Sequence, residues 1–412
     1  MLLRILTILT LMFLTFNFSV KIYRSIDFMN KKKITVKKCF VLLLLIVSSN
    51  ILVAQDCFDS ESYYQYIKNN GQPHLEYVLD KIRSHSVVAI GEDHWIDAHP
   101  QFLCELITAS AKDSTANIDA VAVEFGSERY QYLADSLIKS PVYREDLVFK
   151  ILQYTPDDLG NPYKEYADVF KSVWENNQKK PVNLRTRILL VDPAYIQDYF
   201  DGKDYVYTGS RDDNMFVTIR NYIIKRSHIV FYAGAAHTLA HINGIRQGNF
   251  YYNWPSAGFL LKNCYPQDVF IINLWGGQMG SRGYIENSQT RWNLIADGII
   301  DKAFQKNGNK PVGFDLNDDF PLLRTETYFA NPTLKLSSYG EKGSPHTKEQ
   351  KFSDICDGIV FVKPVSEFNG IHLINIYDEE FIEKANKRTK GSCKTAEDIL
   401  KTVKEWHPIL KF

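Results

Sequence analysis

The sequence predicts an α/β fold with a mostly parallel central sheet and helices on both faces, on three observations. Short continuous apolar runs recur along the chain, they alternate with longer helical patterns, and a charged residue or a histidine closely follows most runs. Continuous apolar runs are what strands buried on both faces look like, and the helices between them supply the crossovers that parallel pairing needs.

Taken in order, the chain opens with an expected leader over residues 1–54. Lys31, Lys32, Lys33, Lys37 and Lys38 precede an apolar run from Cys39 to Val53, and Ala54 ends a small-residue stretch. This is the charge, apolar and small-residue order of a signal peptide, with translation expected to start at Met29 and cleavage near Ala54. The run is short for a membrane span, so an anchor is the lesser reading. An exported protein, periplasmic or extracellular, is the expectation, with membrane contact only through this leader.

Residues 61–83 read as helix with a break at Gly71–Pro73. Strands are expected at Val87–Ile90, Ala120–Val123, Ile188–Val191, Ile229–Tyr232, Val269–Leu274 and Ile359–Val362, and helices near 98–112, 128–139, 163–178 and 211–226. The α/β domain is thus expected over 55–370. Within it, 278–355 is rich in Gly, Asn and Asp and reads as a loop-rich insertion. A helical C-terminal extension follows over 371–412.

Composition limits the function. Lys plus Arg (48) balance Asp plus Glu (48), and no basic stripe points to nucleic acid. Cys39 falls in the leader; the other cysteines, Cys57, Cys104, Cys264, Cys356 and Cys393, form no disulfide framework or Cys-x-x-Cys zinc spacing. There is no Gly-x-Ser-x-Gly elbow and no P-loop, and the glycines of Gly276–Gly283 lack a dinucleotide fingerprint's strand–helix setting.

Ligands of open α/β sheets bind outside the carboxyl ends of the strands. Glu92 and His94 follow the first run, Glu124 the second, Asp192 the third and His237 the fourth. Glu92 and Asp192 also suit turn or cap roles, whereas His94, Glu124 and His237 are poor turn formers. The stripe Met215, Ile219, Tyr222 and Ile223 extends back to Arg211, which should therefore point from a helix start to the same edge. His94, Glu124 and His237 suit a divalent metal such as Zn, Mn or Fe, and equally suit metal-free hydrolysis with Arg211 on an oxyanion. Glu92, Asp192 and His99 are candidates for substrate contact. His99 reads slightly more as an exposed helix-start residue than as a further ligand. His241, four residues after His237, shares its face if that stretch is helical.

The elements "GEDH" (Gly91–His94) and "GAAH" (Gly234–His237), bracketing "VEFG" around Glu124 and "RDDNM" (Arg211–Met215), resemble the superfamily of erythromycin esterases, ChaN-type haem-binding proteins and Tiki/TraB-type proteins, from about Val87 to Val362. "GEDHWIDAHPQF" is similar to the ChaN-type opening. "RDDNMF", "WPSAGFLLKNCYPQDVFIINLWGG" and "DGIVFVKPV" look like esterase segments. Two departures stand out: Trp95 replaces a Gly of the esterase pattern, and Thr218 replaces its Asn. The resemblance implies His94 as water-activating base or metal ligand, Glu124 and His237 as its partners, and Arg211 as substrate or oxyanion contact. It implies hydrolysis of an ester or amide in a small-molecule or peptide substrate, with a divalent metal (Zn or Mn) in the Tiki-type manner. The alternative is a non-catalytic haem or iron-binding envelope protein of the ChaN type, with iron held by a surface Tyr or His.

Overall fold

In this computed structural model the described residues are 59–155, 159–194, 210–225, 227–240, 242–247, 250–277, 283–287, 289–321, 323 and 351–412. The expected leader and His241 lie outside them. Among the described residues, no helix is long and apolar enough to cross a membrane, and Cys104, Cys264, Cys356 and Cys393 are free thiols.

The strands are β1 (Gln72–Pro73), β2 (Val87–Glu92), β3 (Ala120–Ser127), β4 (Arg187–Asp192), β5 (Ile229–Gly234), β6 (Ile242–Gln247), β7 (Phe250–Pro255), β8 (Val269–Leu274), β9 (Tyr284–Glu286), β10 (Gln289–Arg291), β11 (Val312–Asp315) and β12 (Gly358–Phe361). Eight form one sheet in the order β1-β11-β12-β8-β2-β5-β3-β4. From β12 to β4 every pairing is parallel; β11 and β1 add an antiparallel edge. The predicted α/β class is the observed one.

Alternation along the strands divides the interior in two. Val88 and Ile90 of β2, with Val121 and Val123 of β3, join the core under helices Ala98–Ser110 and Lys164–Asn177. Val87, Ala89, Ala120 and Ala122 face the other core, under helices Ser60–Asn70, Arg211–Ile223 and Ile299–Lys306. Small Ala residues on that face let the Arg211–Ile223 helix lie close to the strand ends.

Three details refine these expectations. The loop-rich stretch 278–355 also contains the amphipathic helix Ile299–Lys306 and strand β11, which joins the main sheet. Four residues with a central Gly313 are too short a pattern to read as a strand, and the Gly is required because a Cβ there would lie 2.3 Å from Tyr77. The strands β2, β3 and β5 run beyond their apolar runs, so Glu92, Glu124 and Gly234 belong to them.

The third concerns 371–412. Its helices Glu379–Arg388 and Ala396–Trp406 send Phe381, Ala385, Ile399 and Val403 into the first core. The preceding segment threads between two loops: Ile371 N–H donates to Trp95 O (3.1 Å), and Ile374 N–H donates to Pro162 O (2.9 Å). Lys411 closes it by donating to Ile371 O (2.9 Å) and accepting from Leu373 N–H (2.6 Å). These residues build the site as well as extend the fold.

Candidate active site

The parallel order puts the carboxyl ends of β2, β5, β3 and β4 side by side. His94, His237, Glu124 and Asp192 therefore meet at one edge, and Arg211 reaches them from its helix start.

Glu92 shares the face of Val88 and Ile90, so its carboxylate enters the first core. There it accepts the phenol O–H groups of Tyr166 and Tyr232, one on each oxygen. Burial, and then the charge of Glu92, push both phenols well above the ordinary tyrosine range, so they remain neutral donors. The Tyr166 ring is fixed in turn by stacking on Phe125 (4.3 Å, 7°). With two donors already in place, Glu92 Oε1 also accepts from His94 Nδ1 (2.9 Å), and the proton sits on that nitrogen. Nε2 is then the basic atom, 3.7 Å from Glu124 Oε1, on a side chain 40% exposed.

Glu124, next to Val123, falls on the opposite face. Its Oε1 accepts Gly234 N–H; its Oε2 accepts Arg211 Nη2 (3.1 Å) and lies 3.4 Å from His237 Nε2. Burial pushes this carboxyl up, but His94, His237 and Arg211 outweigh it and hold it at about 2. Asp192 forks onto Arg211 through Nε (2.7 Å) and Nη2 (3.1 Å), while its complete burial lifts it to about 6. Arg211 sits in the first helical turn because a Ser210–Asp213 capping box starts the helix there. Asp212 accepts from Ala257 N–H (2.8 Å) and holds His237 Nδ1 (2.9 Å). Burial works against the His237 charge, yet Asp212 and Glu124 raise its pKa overall.

The glycines of the two Gly-x-x-His elements have a steric reason. A Cβ on Gly234 would lie 2.6 Å from His94 Nε2 and 3.2 Å from Glu124 Oε1, and one on Gly91 would lie 2.5 Å from Thr238 Oγ1. Trp95 adopts φ +67°, a left-handed backbone that favours glycine. Its indole donates to Tyr163 Oη (3.2 Å) and stacks on His407 (4.1 Å, 27°), which holds the residue there.

A pocket of about 560 Å³ opens at this edge, lined by His94, Glu124 and Arg211 beside Trp95, Phe125, Asn161, Tyr163 and Tyr166, with Trp406 and His407 from the C-terminal segment. Glu92, Asp192 and His99 are not in its lining. Glu92 and Asp192 each stand behind a lining residue that they hold.

His99 is fully buried and not at an exposed helix start. The cover is the segment 368–370: Asp97 N–H donates to Asn369 O (3.0 Å), and the Phe368 ring meets the His99 ring edge-on (5.6 Å). His99 Nδ1 accepts from Asp93 N–H (3.1 Å), and burial drives its pKa down to about 3. Sequence reasoning missed Asp212, Tyr166, Tyr232 and the pocket residues beyond the strand ends. Only for Glu92 was a signal present, since period-two alternation continued from Val88 and Ile90 puts it inside.

Glu92, His94 and Glu124 each offer a ligand atom within 4.8 Å of the others, a spacing open to a metal ion. The hydrogen bonds these carboxylates accept leave Glu92 Oε2 and both Glu124 oxygens a further lone pair, and His94 Nε2 is a basic nitrogen. Both Glu92 oxygens accept tyrosine O–H groups, and Glu124 accepts Gly234 and Arg211. His237 Nδ1 is held by Asp212, and Asp212 and Glu124 raise its pKa. For haem, ligation through Tyr166 needs a phenolate, and its pKa shift opposes that. The Glu92–His94–Glu124 cluster could hold a metal ion, while the Tyr166 phenol is a poor haem ligand.

No protein-family model and no curated protein matches the chain. Among solved structures it is similar to a succinoglycan biosynthesis protein at 10% identity (TM-score 0.46; 74% of this chain, 97% of that chain). It is similar to an erythromycin esterase, EreC, in its open conformation at 9% identity (TM-score 0.37; 69% and 92%). It is also similar to ChaN of Campylobacter jejuni, with haem bound cofacially, at 13% identity (TM-score 0.27; 52% and 89%). Erythromycin esterase and ChaN, the two kinds suggested by the sequence, are both among the solved structures it is similar to.

Proposed function

We propose that the protein is a metal-independent hydrolase of an ester or related acyl bond, with His94 as general base. The observation that carries this reading is the Glu92–His94 pair: a buried, doubly tethered carboxylate orients the imidazole of a residue that lines a pocket together with Arg211. The same logic of an acid fixing a histidine tautomer serves hydrolases of unrelated fold.

In this mechanism His94 Nε2 takes a proton from a water molecule as the water oxygen bonds to the acyl carbon. The carbonyl π pair moves to its oxygen, and the Arg211 guanidinium stabilises that oxyanion. The pair then returns, the C–O bond to the alcohol breaks, and the His94 imidazolium gives its proton to the leaving oxygen. Glu92 is a positioning residue, and its charge favours the imidazolium. Glu124 orients Arg211 and lies beside the same charge. No step is routed through a metal or haem. The leader pattern of residues 29–54 supports export.

A screen with small acyl esters such as p-nitrophenyl acetate, before and after chelator dialysis, tests the reading. Hydrolysis is expected to survive dialysis, and haemin is expected to give no Soret shift. Activity that disappears with the chelator and returns with zinc, or a haemin complex without hydrolysis, overturns it.

Gly234 supplies a second test. Gly234→Ala drives a methyl group against His94 Nε2, the movable end of a side chain, so the imidazole swings and the fold survives. A loss of about 100-fold in kcat/KM with an unchanged thermal midpoint is expected. An alanine variant of full activity contradicts the placement of Nε2.

A further inference from the structure

The ionic groups at this edge are largely paired with one another: Glu92 with His94, Asp192 with Arg211, and Glu124 with Arg211 and His237. The rest of the pocket lining is neutral polar and aromatic. Asn161 is the informative residue. It is only 7% exposed and lines the pocket. Its backbone is satisfied, N–H donating to Leu152 O (2.9 Å) and C=O accepting from Tyr163 N–H (2.7 Å). Its side-chain amide, one acceptor and two donor hydrogens, has no hydrogen-bond partner among the described residues. The amide opens to the pocket, where its acceptor and two donor hydrogens are available to a bound ligand.

Around it stand ring faces. Trp95 and His407 form one stacked pair, with the Tyr163 hydroxyl beside it. Trp406 is 47% exposed at the same pocket, and its indole N–H has no partner among the described residues. Neutral donors and acceptors interleaved with ring faces suit a ring with an apolar face and a hydroxylated edge. A peptide held by strand addition does not suit the site, because β2, β3 and β5 already have neighbours on both sides.

We propose that Asn161, Trp406 and the Trp95–His407 stack form a subsite for a neutral polyhydroxylated ring. The bond cleaved is then an O-acyl ester on a sugar or comparable cyclic polyol, an inference that rests on the hydrolase reading above. The water-derived OH stays on the acyl group, the sugar oxygen takes the proton from His94, and no redox partner is required.

The test compares kcat/KM for ethyl acetate with that for acetylated methyl glycosides of glucose, galactose, mannose and N-acetylglucosamine, in the full protein and in Asn161→Ala and Trp406→Ala. Saturation-transfer NMR with the unacetylated methyl glycosides runs alongside. In each variant the sugar ester is expected to lose about tenfold more than ethyl acetate, and glycoside binding to the wild type is expected to disappear. Trp406 is exposed, so its variant stays informative if Asn161→Ala folds poorly. Equal losses on both ester types, or no glycoside bound by the wild type, overturn the subsite. Glycoside binding that depends on Asn161, without hydrolysis of any ester, upholds the subsite and overturns the hydrolase reading instead.

Discussion

Replacing His94 by alanine is expected to lower kcat for ester hydrolysis by about 10²- to 10⁴-fold, the usual contribution of a positioned general base. The fold should be unaffected. The side chain is 40% exposed, and its removal leaves Glu92 with its two tyrosine donors. Circular dichroism and the urea midpoint should therefore match the wild type while turnover collapses, and added imidazole should restore part of the rate. A fully active His94→Ala protein removes the basis of the proposed mechanism. A loss of folding instead of turnover gives His94 a structural role.

Glu124 should behave in the opposite way, as a residue whose loss is felt in stability. Its carboxylate is the common acceptor for Gly234 N–H and Arg211 and lies 3.4 Å from His237. Glu124→Ala leaves the buried Gly234 N–H without its acceptor and reduces Arg211 and His237 to one carboxylate each, Asp192 and Asp212, and stranding a buried donor of this kind costs about 1–3 kcal/mol. Glu124→Gln keeps the shape and should cost less. The pH dependence has a definite sign. The carboxyl is held at about 2 in the fold against an ordinary 4.5, so its stabilisation is fully present above pH 4.5 and declines as pH falls toward 2. Urea midpoints of wild type and Glu124→Gln should accordingly lie well apart at pH 6 and converge below pH 4.5. A constant gap across that range means the charge is not what stabilises the edge.

The legible part of the fold follows from periodicity. A parallel sheet shows its buried strands as apolar runs and sends every strand's carboxyl end to one edge, so the convergence of His94, Glu124, His237 and Arg211 was readable without coordinates. What supports them was not. Tyr166 and Tyr232 are two of 24 tyrosines, and only tertiary placement sets them apart. Asp212 looks like an ordinary acid in a helix's first turn until Ala257 and His237 are found against it. Strand β11 is too short, and too dependent on Gly313, to declare itself. Trp406 and His407 reach the pocket through the non-local pairing of Ile371 and Leu373 with Lys411, for which sequence periodicity holds no signal.

That last pairing has a consequence for the order of events during synthesis. Strands β2 to β8 and the helices between them leave the ribosome long before residues 369–411, so most of the sheet can assemble first. Until Ile371 bonds to its carbonyl and His407 stacks on its ring, the left-handed backbone of Trp95 has only the indole bond to Tyr163 to hold it. The pocket is therefore a late product of translation. A nascent chain paused before residue 369 would carry His94, Glu124 and Arg211 on a nearly finished sheet, with one wall of the pocket still to be made.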